Sequence, residues 1–367
     1  MKKKILITGG SGLLAVNWAI SIRDEYEVTL LLHQRRISLQ GVRAYVVSLN
    51  SMNECVAAVR KYQPDIVIHT AGLTSVEECE YNPNLAQEIN VDLAKNMAIA
   101  CDKRGVKLVH ISTDHLFSGN ESFVTERGDT TPINNYAKTK LEGEQQVQEN
   151  CKDVLIIRTN FFGWGAKYRQ SFSDFIINKL RNNESIDLFS DVSFTTILAE
   201  ELSKKTHQLV DANLSGVFNI VGSERLSKYE FGIKLANCFD LNTDLVNEIS
   251  IKDKPNLVKR PKDMSLSNKK ICKILNCTIP SIDEQFQTLK QQESDSAINQ
   301  VTTDIIPYGK HYIDEDDIQS VVDVLRHGML TQGPKIAEFE NKVADYVGAK
   351  YAVAVSNGTA ALHLACM

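Results

Sequence analysis

The run Lys4-Ile5-Leu6-Ile7-Thr8 ends in Gly9-Gly10-Ser11-Gly12, and a helical pattern follows over roughly Leu13 to Arg23. Five residues suffice for a strand and are too few for a helix, so the glycines mark a strand-to-helix turn. Gly9, Gly12 and Ala15 fall at a G-x-x-G-x-x-A spacing. In that spacing the first glycine permits the tight turn, the second lets a pyrophosphate approach the backbone, and the small third residue lets helix and strand pack closely. The helix N-terminus adds amide donors and a partial positive charge. An ordinary glycine turn of an α/β protein looks similar, but the position in the first β-α-β unit favours a dinucleotide loop made by Gly9, Ser11, Gly12, Leu13 and Leu14.

Further apolar runs occupy Glu27–Leu32, Ala44–Val47, Asp65–His69, Val106–Ile111 and Val154–Arg158. Helical patterns near Asn53–Tyr62, Asn84–Arg104 and Tyr136–Glu149 separate the later ones. Strands alternating with helices build a parallel sheet covered on both faces. The expected fold class is α/β, a doubly wound parallel sheet, with residues 1–160 as the nucleotide-binding domain. After Arg158 the regularity fades. Residues 161–290 read as a smaller mixed substrate-binding lobe, with helices over Phe172 to Leu180, Ile197 to Val210 and Lys228 to Phe239. Residues 193–222 are expected to return to the main domain, through a strand over Gly216 to Val221. The polar stretch 291–304 reads as a linker, and a new pattern starts at Ile306.

A net charge of −5 gives no basic footprint, so nucleic acid is not an implied partner. The eight cysteines contain no C-x-x-C pair, which fits reduced thiols and no metal site, and a cytoplasmic location is expected. No apolar stretch approaches the ~20 residues of a membrane span. Lys2, Lys3 and Lys4 are followed by a short strand and a glycine turn instead of the apolar core of a secretion signal.

The second strand ends in His33-Gln34-Arg35-Arg36. A binder of NAD usually places an acidic residue there for the ribose hydroxyls. Arginine can instead pair with a 2′-phosphate. His33, Arg35 and Arg36 therefore favour NADP(H), against the alternative of a solvated basic loop.

Tyr136 and Lys140 lie four residues apart in a helical pattern, hence on one face. A phenol titrates near about 10, and a neighbouring cation favours its ionised form. Lys140 is thus expected to lower the Tyr136 pKa, a useful direction for a general acid.

Together these segments resemble the extended short-chain dehydrogenases/reductases, and within them the dTDP-4-dehydrorhamnose reductase group. The likeness is carried by Ile5–Leu14, His69-Thr70-Ala71-Gly72, Ile111–Phe117, Pro132–Lys140 and Arg260-Pro261, in family order over about residues 3–290. It implies NADPH-dependent reduction of a nucleotide-linked 4-keto-6-deoxy sugar. Thr113 would hydrogen-bond the substrate carbonyl, Tyr136 would give it a proton, and Lys140 would hold the nicotinamide ribose. Ala71 and Gly72 would line the cofactor. Ser48 and Leu49 take the adenine position, where Ser48 departs from the family's acidic residue. Thr74, Val76 and Asn160 are implied on the substrate side. Arg260 matches an arginine near the sugar-nucleotide diphosphate, and reads equally as a surface charge. His115 stands where related dehydratases carry a glutamate, which disfavours dehydration; it is read as structural or substrate-facing rather than as a second acid. Two other readings stay open: a nucleotide-sugar epimerase, and a non-catalytic NADP-binding regulatory subunit like that of methionine adenosyltransferase. The likeness also makes a homodimer a candidate assembly.

Residues 305–367 resemble a different family, the start of the DegT/DnrJ/EryC1 sugar aminotransferases. Ile306–Gly309, Leu330–Gly333 and Tyr351–Leu362 carry that likeness. Such enzymes use pyridoxal phosphate on keto sugar nucleotides. The stretch stops at Met367, before the family's Schiff-base lysine. It is expected to be truncated, to bind no pyridoxal phosphate, to lack transaminase activity and to expose apolar surface.

Overall fold

A computed structural model describes residues 2–295, 298, 301–303, 315–329 and 333–366. The chain forms two compact units, residues 1–305 and 306–367. The first is built on a seven-stranded sheet. Strands β1 (Lys4–Thr8), β2 (Glu27–Leu32), β3 (Arg43–Val46), β4 (Ile66–His69), β5 (Lys107–Ile111) and β6 (Val154–Arg158) are joined by a strand at Gly216–Asn219. The spatial order is Gly216–Asn219, β6, β5, β4, β1, β2, β3, and every pairing is parallel. Residues alternate between the two faces, which explains the unbroken apolar runs. Ile5 and Ile7 enter one core while Leu6 enters the other, and all three are buried.

The order reverses between β1 and β4, the place where doubly wound sheets open a crevice at their carboxyl edge. Helices α1 (Leu13–Ile22), α2 (Met52–Tyr62), α3 (Val76–Tyr81), α4 (Pro83–Gln87), α5 (Leu93–Asp102) and α6 (Asn135–Asn150) surround it. Ser51 and Glu54 form a capping box that starts α2. Asn134 caps α6 by accepting from Ala137 N–H at 2.8 Å.

Two expectations need correction. The helical pattern over 84–104 is not one helix: α4 passes into a π-helical turn at Glu88–Asp92 before α5 begins. Apolar spacing over 84–104 gives no separate sign of a single i→i+5 turn set inside a helical run. The stretch 291–304 is not simply a linker. A helix spans Ile282–Asp295, Ile298 and Val301 are buried, and Thr302 exchanges backbone hydrogen bonds with Ser38 at 2.8 and 3.1 Å. Those two apolar residues supply the burial that the polar composition hides.

The smaller part of this unit is mixed. Ile186–Phe189 pairs with Val246–Ile249, and Ser193–Phe194 pairs with Leu226–Ser227 and Asp263–Met264. Its core centres on Phe231, ringed by Phe162, Phe172, Phe194 and Phe286 with centroids 5.1 to 5.6 Å away. The helix Ala199–Asp211 follows a two-residue strand, Ile197–Leu198, and packs on α1, where Trp18 donates to His207 at 3.0 Å.

In the second unit the described helices are Glu315–His327, Pro334–Val347 and Gly358–Cys366. Val321, Leu325, Phe339 and Tyr346 on the first two are exposed. Asn357 Oδ1 accepts from Ala360 N–H at 2.9 Å at the start of the third. The expected features at 306–309 and 330–332 lie outside the described residues. Among the described residues no helix is long and apolar enough to cross a membrane.

Candidate active site

A cleft of about 780 Å³ opens at the carboxyl edge of β1, β4 and β5. The glycine loop forms its floor. Gly9 has φ +63°, and a Cβ there would lie 2.8 Å from Ala71 Cα. Only glycine allows that backbone conformation and that approach across the switch point. Gly12 precedes α1 with no side chain capping the helix amides. An open turn facing uncapped amides fits a pyrophosphate.

Most predicted site residues meet in this cleft. Gly9, Ser11, Gly12, Leu13, Leu14, His33, Leu49, Ala71 and Gly72 line one side. Thr74, Val76, Thr113, Tyr136, Lys140, Asn160 and Arg260 line the other. Ser48, Arg35 and Arg36 are not among the lining residues. Ser48 instead helps to hold the Glu54 carboxylate below its ordinary pKa. The Arg35 guanidinium stands 4.5 Å from the Tyr168 ring centroid.

Thr113 follows β5, and α6 brings Tyr136 and Lys140 to it. The Thr113 hydroxyl donates to Asp114 Oδ1 at 3.2 Å. Asp114 is buried and also accepts from Asn160 Nδ2 at 2.8 Å, so the Asn160 amide is engaged inside the protein. His115 Nδ1 lies 2.8 Å from Asp114 Oδ1. The His115 ring meets the Tyr136 ring edge-on, with centroids 5.4 Å apart.

The expected action of Lys140 on Tyr136 is absent from this arrangement. Burial pushes the Tyr136 phenol well above its ordinary value, with a hydrogen bond to Thr113 opposing and the Asp114 charge adding to the rise. The Lys140 ammonium donates to the Ile111 carbonyl at 2.7 Å. Burial lowers its pKa to about 8, against the opposing pull of Glu144. The reason is positional: a shared helix face brings two side chains near, but a backbone carbonyl at the end of β5 captures the ammonium.

Arg260 forms an ion pair with Glu77 of α3. Its Nε is buried and has no protein partner.

Four residues escaped the sequence reading. Asn90, in the π-helical turn, accepts from Leu73 N–H at 2.8 Å and donates to Leu73 O at 3.1 Å and Thr139 Oγ1 at 3.1 Å. It ties the substrate-side loop to α6. Gly143 makes room, since a Cβ there would lie 2.4 Å from Asn90 O. Tyr168, in the turn-rich loop after β6, donates its hydroxyl to Ser11 O at 3.1 Å. Lys228 places its ammonium 3.3 Å from the Phe194 ring centroid, and burial lowers it to about 8.

Residues 2–294 match the profile of the RmlD substrate binding domain. The chain belongs to that family. The chain is similar to the probable low-salt glycan biosynthesis reductase Agl14 of Haloferax volcanii, 26% identical over 79% of this chain and 98% of that one. The dTDP-4-dehydrorhamnose reductase of Salmonella typhimurium is 27% identical over 60% and 77%. Methionine adenosyltransferase 2 subunit beta of Pongo abelii is 26% identical over 73% and 81%. The dTDP-4-dehydrorhamnose reductase of Bacillus anthracis, solved in complex with NADP, superposes with a TM-score of 0.71 at 25% identity. That superposition covers 80% of this chain and 100% of that one. Residues 311–367 match a second family, the DegT/DnrJ/EryC1/StrS aminotransferases.

Proposed function

We propose that residues 2–294 reduce the 4-keto group of a nucleotide-linked 6-deoxy sugar, using NADPH. The observation that carries this reading is the convergence of Thr113, Tyr136 and Lys140 on one cleft with the glycine loop. The similarity to proteins named as reductases supports it.

NADPH, when bound, would supply the hydride for the keto carbon. Gly9, Ser11 and Gly12 would hold its pyrophosphate, and Arg35 or Arg36 its 2′-phosphate. The Thr113 hydroxyl orients the carbonyl. The Tyr136 hydroxyl donates the proton to the oxygen, and the raised phenol pKa keeps that proton in place until charge develops. Lys140 binds the ribose hydroxyls once it leaves Ile111 O. Arg260, with its free Nε, binds the diphosphate. In this reading residues 1–160 hold the cofactor, 161–290 the sugar nucleotide, and 305–367 add no transaminase chemistry of their own.

The likeness to a methionine adenosyltransferase subunit favours a second reading, a non-catalytic NADP-binding subunit. NADPH oxidation with a panel of dTDP- and UDP-linked 4-keto sugars separates the two. Consumption with at least one sugar is expected. Tight NADPH binding with no consumption on any of them would favour the subunit, and product without net NADPH loss an epimerase.

A further inference from the structure

Hydride transfer to a ketone needs one proton donor, and Tyr136 fills that place. The cleft holds a second ionisable group beside it. His115 lines the cleft next to Tyr136, its ring edge-on to the phenol with centroids 5.4 Å apart and 83° between planes. Its Nδ1 faces the buried Asp114 carboxylate at 2.8 Å. Asp114 is itself fixed by Asn160 at 2.8 Å and by the Thr113 hydroxyl at 3.2 Å. A carboxylate accepts only, so the proton between them sits on Nδ1 when the imidazole is neutral. That leaves Nε2 as an acceptor lone pair. Among the described residues no protein group is hydrogen-bonded to Nε2.

An oriented imidazole base beside a phenol that binds a carbonyl oxygen is suited to removing a proton from the carbon next to that carbonyl. We infer that His115 is a general base that enolises the bound keto sugar, so that the same site exchanges the hydrogen on the carbon adjacent to the ketone. This rests on the keto-sugar reading above. His115 Nε2 takes the proton of the C–H bond, whose electron pair becomes the C=C bond. The carbonyl π pair moves to oxygen, which takes the Tyr136 proton. The reverse steps return a proton from Nε2, after exchange with solvent, to the same face of the carbon and restore the phenol. No oxidant or reductant is consumed.

The test uses the full chain in D₂O with saturating NADP⁺ and a dTDP-4-keto-6-deoxyhexose, and follows deuterium at the sugar carbons by mass spectrometry. Incorporation beside the keto group is expected at least about tenfold above the enzyme-free rate. His115→Asn should return it to that rate, with an unchanged unfolding midpoint. Asp114→Asn, which keeps the shape but loses the charge that orients the ring, should lower it as well. NADPH consumption by the unmodified chain is measured in parallel. Consumption without exchange overturns the inference and leaves the reductase reading standing. Neither consumption nor exchange overturns both. Wild-type exchange in His115→Asn also overturns the inference.

Discussion

The Lys140 ammonium is bonded to the Ile111 carbonyl at 2.7 Å, and burial holds its pKa near 8. The ammonium is therefore kept charged at neutral pH by one carbonyl and the more distant Glu144. Desolvating it costs stability that is retained for binding. Lys140→Met should abolish reduction and raise folding stability at pH 7 by on the order of a few kcal/mol. Urea unfolding of both forms checks the sign; a less stable Met variant would contradict the assignment.

Arg35 and Tyr168 link the basic end of the second strand to the glycine loop. The ring carries the guanidinium at 4.5 Å while the hydroxyl holds Ser11 O at 3.1 Å. Tyr168→Ala removes both contacts and should weaken NADPH binding by roughly 5–30-fold, the sum of a cation–π contact and a hydrogen bond. Tyr168→Phe keeps the ring and should lose about threefold. Fluorescence titration with NADPH and NADH reads this, and the Ala variant should lose more affinity for NADPH than for NADH.

Arg260 should act on the sugar nucleotide and not on the cofactor. Its Nε is buried and unpartnered, while its other end is paired with Glu77. Arg260→Met is expected to raise KM for the sugar nucleotide by roughly 10–100-fold, the weight of a charge-assisted hydrogen bond. NADPH affinity should be unchanged. Steady-state kinetics with varied sugar nucleotide, beside a cofactor titration, gives both numbers.

Acid should destabilise the fold well above the carboxylate range. Burial and then the Lys140 charge lower His69 to about 3, and burial lowers His207 to about 4 against the opposing Asp211. An unfolded histidine titrates near about 6.5. Between those values the unfolded chain binds protons that the native chain does not, so stability falls as pH drops below about 6.5. Each histidine should cost on the order of 2 kcal/mol by pH 5. Unfolding free energies at pH 7, 6 and 5 measure the slope; a flat profile over that range would refute it.

The sheet was legible because both faces are covered: runs such as Ile5-Leu6-Ile7 are unbroken, and glycines stand where the backbone must turn. Thr113, Tyr136 and Lys140 were legible as a set and meet in one cleft. What stayed hidden was contact across sequence distance. Nothing local marks Tyr168 as the partner of Ser11, 157 positions away. Asn90 falls in a π-helical turn that periodicity reads as plain helix. The Tyr136–Lys140 spacing showed a shared face, but not that Ile111 O would take the ammonium or that burial would raise the phenol. Ile298 and Val301 anchor a stretch whose overall polarity suggests a linker.

In the proposed keto-sugar reduction Tyr136 gives the proton. Tyr136→Phe removes one buried hydroxyl and keeps the ring that packs on His115. The measurement is kcat with NADPH and a dTDP-4-keto-6-deoxy sugar, together with NADPH affinity. A fall in kcat of about 10²–10⁴-fold with NADPH affinity retained is predicted. Unchanged turnover in Tyr136→Phe would contradict the account.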